Sequence, residues 1–184
     1  MPGVSLATRP SSQSRRRYGG AMTREPVTVR PARPDDVDAV RDVGARTWPP
    51  TYTPIAGADY VRTGLEQWWS HDRTVQAIAS GRVLVAERDG AVIGMAAYTV
   101  QGDVLDLWRL YVVPEAHGSG AGHALLEAVL AGPARDLRVV RLAHMDGNTV
   151  ARAFYERHGF VETHRSADEI GGPDNVWMER PVGP

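Results

Sequence analysis

From residue 27 the chain switches between two hydrophobic periods, and the switches outline its elements. "VTVR", Val27 to Arg30, alternates apolar and polar side chains like a short strand. Asp35 is a candidate N-cap for a helical pattern in which Val37, Val40, Val43 and Gly44 share one face. "PPTYTPIAG" is expected to break that helix. "DYVRTGLEQWWSHDRTVQAIAS" carries a second helical region or two short ones. "RVLVAERDGAVIGMAAYTV" reads as a hairpin, two β-rich runs around Asp89-Gly90. Val104 to Val113 predicts a long strand stopped by Pro114. A glycine-rich loop then enters a helix to about Leu130, with Ala121, Leu125, Ala128 and Val129 as its packing face. "LRVVRLAHM" is the next strand, "NTVARAFYERHG" a helix closed by Gly159, and "NVWMERPV" the last strand. This order predicts an α/β (α+β) domain: a mixed, mostly antiparallel sheet flanked by helices, with one βαβ crossover.

Residues 1–24 lack any apolar period and are rich in Ser, Arg, Gly and Pro, the composition of a disordered tail. Residues 25–184 then form one domain, with Met22 just ahead of it. The tail has no apolar core of the kind a secretory signal needs. Its Arg15, Arg16 and Arg17 are read as a solvated cluster.

Composition narrows the chemistry. The 184 residues are 42% hydrophobic and 23% charged, enough for a real core. A net charge of −1 gives no support to nucleic-acid binding. There is no cysteine, which excludes disulfides, thiolate metal sites and a cysteine nucleophile, and fits a cytoplasmic protein. No metal is expected. No apolar run reaches the length of a membrane span, so no membrane partner is expected either.

The richest chemical signal is "HGSGAGHALLEAVL", His117 to Leu130. Glycines at 118, 120 and 122 precede a helix whose first amides have no intrahelical acceptor. The helix dipole and the missing Cβ atoms suit those amides to a phosphate. A turn that merely packs strand against helix is the structural alternative. The dinucleotide pattern G-x-G-x-x-G fails in both registers, at His123 and at Leu125, and the Gly-Lys-Ser/Thr end of a P-loop is absent.

"LYVVPEAHGSGAGHALLEAV" resembles motif A of the GNAT superfamily of N-acetyltransferases, Q/R-x-x-G-x-G/A. His117 stands at the first position, where the family has Gln or Arg, and Ser119 replaces a frequent Arg or Lys. "NTVARAFYERHGFVE" is similar to the family's motif B, with Asn148, Ala151, Phe154, Tyr155, Gly159 and Phe160 in place. Two motifs in order, separated by a strand, are far more specific than one. The resemblance covers roughly Val27 to Val182.

The resemblance implies a GNAT fold and N-acetyl transfer from acetyl-CoA to an amine on a small molecule or a protein, with a homodimer as a possible assembly. It implies that His117, Gly118, Ser119, Gly120, Ala121, Gly122 and His123 hold the pyrophosphate, and that Asn148 contacts the cofactor beside capping its helix. It implies that the backbone of Leu110, Tyr111 and Val112 pairs with the pantetheine arm beside a β-bulge. Tyr155 becomes the acid that protonates the departing thiolate, or else a packing aromatic. The family's base positions fall on Asp106, a shortened carboxylate, and on Ala143, which has none. Asp106 is therefore a candidate base, directly or through water, or an exposed strand residue. His144 is the reserve candidate for the base and an acceptor-site residue, with a purely structural histidine as its alternative. Trp48, Tyr52 and Arg109 are acceptor-site candidates, each with a core or surface role as its alternative. A non-catalytic acyl-CoA-binding module is the alternative function, because the base is doubtful.

Overall fold

The computed structural model describes residues 25–183. The expected tail, residues 1–24, lies outside the described residues. Strand β1 (Thr28–Pro31) leads through a 3-10 turn (Pro34–Asp36) into α1 (Val37–Ala56), then α2 (Ala58–Trp68) and α3 (His71–Ala79). Strands β2 (Val83–Arg88), β3 (Ala91–Gln101) and β4 (Val104–Val112) follow. Then come α4 (Ala121–Ala131), β5 (Val139–Met145), α5 (Thr149–Arg157), β6 (Val161–Ser166) and β7 (Asn175–Pro181). The sheet order is β1-β2-β3-β4-β5-β7-β6. Its only parallel pair among the described residues is β4–β5, joined through α4 as the one crossover.

Local chemistry explains most of these elements. The β2–β3 turn places Asp89 and Gly90 both at positive φ, 52° and 74°, which matches the twist of a tight hairpin. Asp36, not Asp35, organises the start of α1. Its carboxylate accepts the Arg33 amide at 2.6 Å and both terminal nitrogens of Arg30 at 2.7 and 3.0 Å. The Arg30 guanidinium holds the Asp36 carboxyl below its ordinary range.

Two expectations need correction. Helix α1 does not break at Pro49 but continues through Pro49, Pro50 and Pro54 to Ala56. The prolines remove amide donors, yet this segment is held by aromatic packing. Trp48 contacts Tyr52, Tyr60, Trp68 and Trp69, with ring centroids 4.8 to 6.5 Å apart. Gly64 is required there, because a Cβ would strike the Trp48 ring. Strand β6 was not foreseen. It is an edge strand with little buried surface, so its sequence carries no two-residue hydrophobic alternation.

The core lies between the sheet and its helices. On α4, Ala121, Leu125, Leu126 and Val129 are fully buried, while Ala128 is only partly so. No helix among the described residues is long and apolar enough to cross a membrane.

Candidate active site

The site grows from a fault in the sheet. Strand β4 pairs with β5 from Val104 to Leu107 only, the last partners being Leu107 and Leu142. Beyond that point β5 pairs with β7 alone. On the other edge of β4 the register slips, with Ala97 opposite Arg109 and Tyr98 opposite Leu107. Trp108 is the extra residue of this bulge. A bulge bends its strand, and here the bend coincides with the separation of β4 from β5.

The segment Leu110–Val112 therefore has one free edge. The Val113 amide donates to Ile93 on the β3 side at 2.9 Å. Strand alternation then turns the Tyr111 backbone toward β3 and the Leu110 and Val112 backbone toward the gap. Of the three expected backbone positions, only Leu110 and Val112 present polar groups there. Tyr111 contributes its side chain, whose hydroxyl lies 3.1 Å from that of Tyr52.

A cavity of about 900 Å³ fills the gap and runs to the glycine loop. Gly118 and Gly120 have φ of 73° and 85°, left-handed values that disfavour any Cβ, and a Cβ on either would enter open space. Gly120 caps α4, whose first backbone bond runs from Ala124 to Gly120 at 2.9 Å. Among the described residues, the amides of Gly118, Gly120, Gly122 and His123 have no acceptor. Such a set of bare amides at a helix start is a seat for an anion. Ser119 lies outside the cavity lining, and its hydroxyl accepts the Ala121 amide at 3.3 Å.

The histidines around this loop have assignable tautomers. His117 Nε2 lies 2.9 Å from the Val112 carbonyl, which can only accept, so Nε2 carries the hydrogen. His158 Nδ1 likewise donates to the Phe154 carbonyl at 2.8 Å, and its Nε2 accepts from His123 Nδ1 at 3.0 Å. His123 Nε2 is left to face the cavity.

Helix α5 supplies the opposite wall. Asn148 caps it, its side-chain oxygen accepting the Ala151 amide at 3.1 Å, and also lines the cavity. Tyr155 lines the cavity from the next turns and is 8% exposed. Among the described residues its hydroxyl has no protein partner, and it is not among the sealed polar atoms. Burial, reinforced by Tyr111, pushes its pKa well above the ordinary tyrosine value. The phenol therefore keeps its proton throughout the neutral range.

Three sequence-derived site residues take other roles. Asp106 is 2% exposed and lies outside the cavity lining. It accepts Arg141 Nε at 2.6 Å, directly across the β4–β5 pair. Its carboxylate closes the seam just below the gap and is not offered to a substrate. Arg109 is also turned away from the cavity. Its guanidinium donates to the Trp68 carbonyl and lies 4.6 Å over the Trp69 ring. Burial among these groups lowers its pKa, and no carboxylate among the described residues pairs with it. Trp48 is 6% exposed at the centre of the aromatic cluster and does not line the cavity.

Tyr52 and His144 do line it. Sequence reasoning missed Ile55, because the helix carrying it was expected to have ended. It also missed Trp108, 55% exposed at the cavity wall, because a bulge leaves no periodic signal. No Asp or Glu lines the cavity, and no cluster suited to a metal ion occurs among the described residues.

Comparison with known proteins agrees with this arrangement. The profile of the Acetyltransferase (GNAT) domain matches residues 79–162. A protein of Mycobacterium tuberculosis named as an uncharacterized N-acetyltransferase is 33% identical over 131 residues, 68% of this chain and 83% of its own. The spermidine N(1)-acetyltransferase of Thermoplasma acidophilum is 25% identical over 78% of this chain and 94% of its own. The solved structure of the PaiA N-acetyltransferase from that organism, in complex with coenzyme A, superposes with a TM-score of 0.75. It shares 22% identity and covers 85% of this chain and 99% of its own, a likeness of fold. The chain belongs to the GNAT family and is an N-acetyltransferase.

Proposed function

We propose that the protein transfers the acetyl group of acetyl-CoA to an amine by direct attack within the cavity at the opened β4–β5 seam. One observation carries this reading. A single cavity joins unclaimed helix-start amides, the free edge formed by the Leu110 backbone and the Val112 N–H, and a Tyr155 hydroxyl without a protein partner among the described residues. These are the three features such a reaction needs at fixed spacing: an anion seat, an edge for an extended amide-bearing arm, and a proton donor.

The amides of Gly118, Gly120, Gly122 and His123 would hold the pyrophosphate, helped by the α4 dipole. The pantetheine arm carries amide groups that suit the free backbone of Leu110 and the Val112 N–H, as an added strand would, while the Val112 carbonyl is held by His117. Asn148 keeps its cap and can still meet the arm with its amide nitrogen. Tyr155 supplies a proton to the sulfur as the carbon–sulfur bond breaks. The chain has no cysteine, so acyl transfer through a protein thiol has no candidate.

The acceptor end is lined by Pro50, Tyr52, Ile55, Trp108 and Ala143. A polyamine such as spermidine, named for one relative, brings several cations. With no carboxylate on the cavity wall, they would lose hydration without gaining partners. The acceptor is therefore a single amine on an apolar or aromatic body. Dependence on acetyl-CoA and the lack of cysteine suit the cytoplasm. The test is thiol release from acetyl-CoA with a panel of amines. Apolar monoamines should turn over with higher kcat/KM than spermidine, and a preference for spermidine would refute the acceptor class.

A further inference from the structure

Asp106 is occupied elsewhere, so the reaction lacks a proton acceptor for the incoming ammonium. We propose that His144 Nε2 is that base. The inference rests on the acetyl transfer proposed above.

His144 sits on β5 two residues beyond Leu142, the last partner of β4, where the two strands have just parted. It lines the cavity together with Ala143 and Tyr155. The side chain is 7% exposed. Its Nδ1 lies 2.9 Å from the Met145 carbonyl. A carbonyl only accepts, so Nδ1 bears the hydrogen and Nε2 carries the lone pair. That Nε2 is buried and has no partner among the described residues. A buried imidazole nitrogen left unmatched is unfavourable unless something outside the chain completes it. An amine N–H does so.

Competing bases are few. Among the described residues, the cavity wall holds no carboxylate. His117 and His123 each bond a protein partner through one ring nitrogen, as His144 does, but they line the glycine-loop end, where the pyrophosphate belongs. Position separates them: among the histidines described on the cavity wall, only His144 stands on β5 just past the last β4–β5 pair.

Nε2 takes one proton from the acceptor ammonium and later yields it to solvent. The freed nitrogen lone pair forms the C–N bond at the thioester carbonyl. The C–S bond breaks with its electron pair on sulfur, which takes the Tyr155 proton. The surplus proton on the new amide nitrogen then replaces the one Tyr155 gave up. One amine and one thioester become one amide and one thiol.

The full chain is assayed for thiol release with acetyl-CoA and its best amine. His144→Asn keeps an N–H for the Met145 carbonyl but removes Nε2. His144→Ala leaves room for free imidazole. Both should lower kcat about 100-fold, with KM for acetyl-CoA changed by less than about twofold. Free imidazole should restore His144→Ala at least about tenfold and should not restore Tyr155→Phe. An unchanged kcat in His144→Asn, or a folded His144→Ala that imidazole does not rescue, overturns the assignment while wild-type turnover stands. If His144→Ala does not fold, the kcat of His144→Asn decides. If the wild type acetylates no amine, the parent reading falls, and the base with it.

Discussion

The β4–β5 seam has two halves that differ in what their polar groups do. In the closed half, Val104–Leu107 pair with Val139–Leu142, and the buried Asp106 is answered by Arg141 at 2.6 Å. In the open half, the strands part, and the backbone of Leu110, the Tyr155 hydroxyl and His144 Nε2 have no protein partner among the described residues. Burial is similar for Asp106 and His144, 2% and 7% exposed. What separates a structural group from a chemical one here is whether the chain already satisfies it.

Breaking the open half should damage turnover most. Tyr155→Phe removes the proton donor without changing shape. We expect kcat to fall about 100-fold or more, read by thiol release at saturating amine. Gly120→Val sets a branched side chain at φ 85° and aims it into the anion seat. It should raise Kd for acetyl-CoA about tenfold or more, read by calorimetric titration, with kcat at saturation far less affected.

Breaking the closed half should do the opposite. Asp106→Asn loses a charge-assisted bond at a buried position. It should cost about 1–3 kcal/mol of stability, seen as a melting point lowered by about 2–4 °C per kcal/mol, while kcat stays within about threefold. A loss of kcat as large as that of Tyr155→Phe would return Asp106 to the chemistry. Trp108→Ala should have the smallest effect. The residue is largely exposed, so stability should be unchanged, and only KM for an apolar acceptor should rise, by about threefold to tenfold.

A pH scan reports on the buried tyrosines in and around the open half. Burial raises the pKa of Tyr52, Tyr111 and Tyr155, with Tyr60 raised by burial and its bond to Asp168. In the unfolded chain these phenols ionise near the ordinary value of about 10. Below that value both states are protonated and nothing is lost. Above it the unfolded chain alone releases protons, so stability should fall as pH rises past about 10. Thermal melts from pH 8 to 11 check this.

Much of this was legible in the sequence, for identifiable reasons. The crossover, the hairpin and the loop helix follow from period changes and turn residues such as Asp89-Gly90, which depend on local backbone preferences. The glycine loop was readable because positive φ at Gly118 and Gly120 is a local demand. Residues whose roles depend on a partner were not readable. Asp106 and Arg141 are 35 positions apart and meet only through parallel register. Arg109 finds the Trp68 carbonyl 41 positions away. The continuation of α1 through three prolines depends on aromatic packing against α2, which overrides a local penalty. Strand β6 hides because an exposed edge imposes no hydrophobic period.

Amide hydrogen exchange with and without acetyl-CoA tests the central claim most directly. The amides of Leu110, Val112, Gly118, Gly120, Gly122 and His123 should gain protection when acetyl-CoA is added, and residues 104–107, already paired, should not change. Unchanged exchange across 110–123 at saturating acetyl-CoA would contradict the placement of the reaction at the opened seam.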